Sequence, residues 1–123
     1  MRMYEIMQAR SVIASLYHNK VSAQLAYKFT KFINDTATEE ETYRNQFNNI
    51  IDTYGSRDEN GQFIVTNGKV AINKDSIDDC NKALSELELL EVASPDVVFD
   101  LADLDGIKLS AEEMAPLFEF IKA

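Results

Sequence analysis

Residues 22–55, SAQLAYKFTKFINDTATEEETYRNQFNNIIDTYG, decide the architecture. Their stripe runs Leu25, Phe29, Phe32, Ile33, Thr36, Glu40, Tyr43, Phe47, Ile50 and Tyr54, mostly in alternating steps of three and four, the spacing that keeps side chains on one helix face. Ser22 is placed to cap the start, because its hydroxyl can accept from an otherwise unpaired N–H of the first turn. A stripe of about thirty residues implies a long helix packed along a neighbour in coiled-coil-like fashion. Its middle is ambiguous: Asp35, Thr36 and Thr38 are weak helix formers, and both Thr36 to Glu39 and Thr38 to Glu41 match a capping box. The helix either runs through this stretch or breaks and restarts in it.

Upstream, Met3, Ile6, Met7, Ile13, Leu16 and Tyr17 recur at helical spacing, with Arg10 occupying one turn of the same face. This predicts a first helix from Met3 to near Asn19, forming with the second a long helical hairpin. Downstream, Gly55 stops the helix and 56–61 is turn-rich. Gln62–Thr66 and Lys69–Ile72 are β-prone runs joined by Asn67-Gly68, a pair that tolerates the positive φ of a type I′ turn, so a β-hairpin is predicted. A third helix follows, from a cap at Asn73 or Asp75 through Ile77, Cys80, Leu84 and Leu87, with Asp75, Asp78 and Asp79 at its positive end. Residues 91–105 read as a short strand or a helical turn, with Pro95 and β-branching favouring extended structure at the start. A last helix opens with a Ser110–Glu113 capping box and a Leu109–Met114 hydrophobic staple; Pro116 should disturb it, leaving Leu117, Phe118 and Ile121 to pack. The expected fold is mainly α: a long helical hairpin, one small β-hairpin and C-terminal helices, in a single helical domain over 1–123.

Composition fits that reading, with 123 residues, 46% hydrophobic and 27% charged, four Gly and two Pro. The net charge of −9 hides an asymmetry. Residues 1–34 carry five basic side chains against Glu5 alone, whereas residues 75–123 hold thirteen acids against Lys82, Lys108 and Lys122. An acidic surface repels phosphate, which disfavours direct nucleic-acid binding. The basic first third reads either as solvated or self-neutralised charge or as a patch for an acidic partner. Neither a signal peptide's apolar run nor an 18-residue membrane span is present, so a cytoplasmic protein with no membrane association is expected.

Chemistry-bearing motifs are scarce. One Cys and one His exclude a structural zinc site and an internal disulfide. Cys80 falls on an apolar stripe and reads as a buried inert thiol, and His18 as a cation at the end of the first helix. The best metal candidate is the run Asp100, Asp103, Asp105, Gly106 and Glu112, the last four of which stand at the third, fifth, sixth and twelfth positions of a calcium loop, but the first position is Leu101, so the run reads as a solvated acidic turn. Asp58, Asn60 and Gly61 mimic the loop more weakly, their twelfth position being Asn67. The glycines are isolated, with no phosphate-cradling loop, and no hydrolytic triad can be assembled. No catalytic residue, metal or cofactor is expected, and the protein is read as not an enzyme.

The order of features then becomes informative. A short basic helix, a long helix ending Tyr54-Gly55, the turn Asp58-Glu59-Asn60-Gly61, a small hairpin, a third helix ending Leu89-Leu90-Glu91-Val92, and Leu109-Ser110-Ala111-Glu112-Glu113-Met114 resemble small tailed-phage and prophage proteins of unknown function. The resemblance implies a viral setting and an accessory protein that acts by binding a host or viral protein in the host cytoplasm. It carries over no functional residue. The alternatives are a virion or assembly component, and an acidic nucleic-acid mimic that inhibits a DNA-binding protein. Aromatic residues at helical spacing are usually core, but a protruding helical hairpin would need a partner to bury its stripe. Phe29, Phe32, Tyr43, Phe47 and Tyr54 are therefore the interface candidates, with a weak homodimer through Tyr43 and Phe47 expected.

Overall fold

The computed structural model describes residues 1–122. Helix α1 (Met3–Leu16) buries Met3, Ile6, Ala9, Ile13 and Leu16, close to one residue per turn. It stops short of Asn19 because the chain tightens into a turn in which the Asn19 N–H donates to the Leu16 carbonyl at 3.0 Å. His18 therefore lies past the helix, exposed and edge-on to Tyr17. The last turn of α1 holds no basic residue. This corrects its expected role as a dipole partner.

The predicted long helix is two helices, α2 (Ala23–Asp35) and α3 (Ala37–Tyr54), interrupted at Thr36. Ser22 caps α2 as expected, accepting from the Leu25 N–H at 3.2 Å. Thr36 takes φ −107° and ψ 11°, outside the helical region. Its hydroxyl does not cap α3. It donates back to the Phe32 carbonyl at 2.7 Å, a bond that bends helices, and accepts from Arg10 Nη1 at 2.6 Å. The same nitrogen donates to the Ile33 carbonyl at 2.9 Å, so the charged side chain on the apolar face of α1 is what occupies the break. No capping box forms between Thr36 and Glu39.

After α3, Ser56 is held between two extended segments, its N–H donating to the Ala71 carbonyl and its carbonyl accepting from the Ile64 N–H. Strands β1 (Val65–Thr66) and β2 (Lys69–Val70) pair antiparallel with Val65 opposite Val70. Asn67 at φ 53° and Gly68 at φ 77° supply the two left-handed positions that the type I′ turn requires. A 3₁₀ turn over Lys74–Ser76 leads into α4 (Ile77–Glu88), which packs along α3. Asn73 precedes that turn without capping it; its side chain accepts from the Ser56 hydroxyl at 2.9 Å.

The chain then returns to its start. The Met3 N–H donates to the Leu90 carbonyl at 2.8 Å and the Val92 N–H to the Met1 carbonyl at 2.7 Å, fastening the beginning of α1 to the end of α4. Residues 91–105 hold both of the structures that their sequence left open: β3 (Phe99–Asp100) and, directly after it, the short helix α5 (Leu101–Leu104). The Ser110–Glu113 capping box is formed, but α6 covers only Ala111–Met114 before Pro116 turns the chain into a 3₁₀ helix over Ala115–Phe120. That change of pitch corrects the expected packing face. With about three residues per turn, Leu117 and Phe120 share the buried side, while Phe118 is 74% exposed. Strand β4 (Ile121–Lys122) closes a short parallel pair with β3, which the sequence reading did not anticipate.

The main core lies between α1, α2 and this C-terminal part. Phe32 meets Phe120 edge-on at 4.9 Å between ring centres, and Phe29 meets Phe99 at 5.6 Å. Leu16, Leu25, Val97, Leu104 and Leu117 fill the space around them. Helix α3, by contrast, contains no fully buried residue.

Candidate functional site

The five aromatic interface candidates separate along the broken helix. Phe29 and Phe32, on α2, are buried in the protein's own core and are closed to a partner, because the C-terminal segment folds onto that half of the stripe. Tyr43, Phe47 and Tyr54, on α3, remain half-buried or exposed. Tyr43 and Phe47 stack with ring centres 6.1 Å apart. Burial, and next the Glu88 carboxylate of α4, raise the Tyr43 phenol above its ordinary pKa. Tyr54 lies with Asp79, Lys82, Ala83 and Glu86 on the opposite flank of α4.

Phe47 is 37% exposed and forms one wall of an apolar groove of about 490 Å³. The groove runs between α3, α4 and the β-hairpin. Ile51 continues the α3 wall, Leu84 and the buried Cys80 come from α4, and Val70 and Ile72 from the hairpin side. Asn48, Asn81 and Lys69 supply its polar edges. The spacing of these residues follows local structure: Phe47 with Ile51, and Cys80 with Leu84, are each one helical turn apart, while Val70 and Ile72 alternate along extended backbone. The sequence reading placed Phe47 on an exposed face but did not assemble the groove. The signal available in the sequence was the apolar stripe of α4, of which Cys80 and Leu84 line the groove.

Of the five basic residues of the first third, Arg2, Lys28 and Lys31 pair with acids of the same molecule and Arg10 donates to neutral oxygens, while Lys20 is exposed. Lys28 Nζ lies 2.7 Å from Asp103 Oδ2 and 3.4 Å from Asp100 Oδ2. The Asp103 contact, ahead of a smaller opposing effect of burial, raises the Lys28 pKa, and the same contact lowers that of Asp103. Lys31 pairs with Asp35 at 2.7 Å, which likewise raises its pKa, and donates to the Asp96 carbonyl. Arg2 reaches Glu91 at 3.5 Å. In the middle of the chain Arg44 pairs with Glu40, and Arg57 pairs with Asp52 while lying 3.9 Å over the Phe63 ring. Glu41, Asp75, Asp78, Asp79, Glu86 and Glu88 take part in no ion pair among the described residues.

Other candidate features resolve into local structure. Asp100 and Asp103 of the calcium-like run face Lys28, and Asp103 also accepts from the Asp100 N–H at 3.3 Å. Asp58 Oδ1 accepts from the Asn60 and Gln62 N–H groups, holding the 58–62 turn. Among the described residues no three His, Cys, Asp or Glu side chains gather as a ligand set, and no helix is long and apolar enough to cross a membrane. Compared with known proteins, the chain matches no family model, no curated protein and no solved structure.

Proposed function

We propose that this protein acts by binding another protein, without catalysis, and that the groove between α3, α4 and the hairpin is where it binds. The observation that carries the reading is Phe47: a large apolar side chain that stays 37% exposed beside Ile51, Val70, Ile72 and Leu84. Exposed apolar surface that forms a concave, polar-edged site is what partner recognition uses. The groups with shifted protonation support the non-enzymatic reading. Lys28 and Asp103 owe their shifts first to their contact with each other, which ties α2 to α5, Lys31 to its pair with Asp35 within α2, and Tyr43 to burial.

A phage or prophage setting, with a host or viral protein as the partner, belongs to the same proposal and rests on the resemblance in motif order. The test is affinity capture from a bacterial lysate with the immobilised wild type and with Phe47→Asp. A protein retained by the wild type and lost with Phe47→Asp, at unchanged circular dichroism, is the expected result. Identical retention by both would remove the groove from the function.

A further inference from the structure

We infer that the occupant of the groove is the apolar face of a cationic amphipathic helix. This rests on the reading of the groove as a protein-binding site and specifies the chemistry of the partner. The walls favour a helix. Phe47 and Ile51 form one wall at four-residue spacing and Leu84 the other, above the buried Cys80 one turn before it, on helices already packed side by side. The furrow between two such walls accepts a third helix's row of side chains at steps of three and four.

The rim supplies the sign of the charge. Helical phase places Glu41 two turns before Asn48, Asp78 one turn before Asn81, and Glu88 one turn after Leu84, all three exposed. Glu88 is close enough to Tyr43 to act on its phenol, which sets it at the α3–α4 junction. None of the three is in an ion pair among the described residues, and Lys69 is the single basic residue lining the groove. Of the neighbouring basic residues, Arg44 is held by Glu40 and Arg57 by Asp52, while Lys74 and Lys82 are unpaired among the described residues, and the unpaired acids Glu41, Asp75, Asp78, Asp79, Glu86 and Glu88 outnumber them. A second copy of this chain is a poor occupant for the same reason. Two copies meeting groove to groove would set these acids against one another. Lysines or arginines flanking an apolar helical stripe would meet the unanswered carboxylates and be steered by them.

The experiment titrates the full chain with three designed peptides of about 14 residues that share one leucine stripe at helical spacing and carry Lys, Gln or Glu on the other face. The Lys peptide is expected to bind at least about ten-fold more tightly than the Gln peptide at low salt, with the advantage shrinking in about 0.5 M salt. The Glu peptide is expected not to bind. Phe47→Asp should weaken the Lys peptide at least about ten-fold, whereas the double variant Asp78→Asn with Glu88→Gln should weaken it and leave the Gln peptide unchanged. Methyl chemical shifts of Ile51, Ile72 and Leu84 in the wild type locate the peptide without relying on a variant's folding. Equal binding of the Lys and Gln peptides, with these methyls shifted, would overturn the cationic partner and keep the groove as a docking site. Lys-peptide binding that leaves the methyls and the Phe47→Asp affinity unchanged would be charge attraction alone and would overturn both, as would no binding by any of the three.

Discussion

Arg10 occupies a position on α1 that helical periodicity assigns to the core, and its guanidinium answers two oxygens of the opposing helix, the Ile33 carbonyl and the Thr36 hydroxyl. Replacing it with Met keeps the apolar stem but leaves those acceptors without their charged donor. Arg10→Met is expected to destabilise the fold by about 1–3 kcal/mol, read as a lower urea midpoint with an unchanged slope. Gly55 is a different case. Its φ of −68° is open to any residue, so conformational freedom does not explain it. A Cβ there would stand 2.6 Å from the Ile51 carbonyl oxygen and 2.8 Å from Phe63 Cε1. Gly55→Ala should therefore cost about 1–3 kcal/mol through forced displacement of the Phe63 ring or the end of α3, measurable by thermal unfolding.

Between elements, the β-hairpin depends on its turn. Gly68 has φ 77° with open space around it, so Gly68→Val is strained by the backbone alone and should lower stability by about 1 kcal/mol or more. Equal unfolding midpoints for the two proteins would contradict this. Lys28 and Asp103 tie α2 to α5 across 75 residues of sequence. Asp103 has its pKa lowered on folding, so its contribution is present above the unfolded carboxylate value and is lost as pH falls through the folded one. Lys28 has its pKa raised, so its contribution holds below the unfolded ammonium value and is lost only as pH rises through the folded one. Asp103→Asn should accordingly lower stability at neutral pH and flatten its fall below about pH 4, seen by chemical unfolding across a pH series.

At the scale of the molecule, the broken helix changes what covers the apolar stripe. The α2 half is sealed by Val97, Phe99, Leu117 and Phe120, and the α3 half by α4, which leaves Phe47 at the groove and not a continuous strip to be shared with a second copy. The carboxylates around that groove also oppose self-association through it. Light scattering across a concentration series is therefore expected to return the mass of one chain up to high micromolar protein. A dimer that is lost on Phe47→Asp would instead restore the assembly expected from the aromatic stripe.

The elements were largely legible in the residues themselves. Side-chain periodicity marked α1, α2, α3 and α4, Ser22 and Ser110 marked two helix starts, and Asn67-Gly68 marked the hairpin, because each signal acts within a few residues of chain. The break at Thr36 was written ambiguously, since weak helix formers permit an interruption without requiring one. It took Arg10, 26 residues away, to supply the donor at that break. The core status of Phe29 and Phe32, the parallel pairing of Phe99 with Ile121, and the assembly of the groove from Phe47, Ile72 and Leu84 were likewise decided only in three dimensions. Periodicity tells which face of an element is apolar, but the choice between core, groove and interface for that face depends on which distant segment returns to cover it.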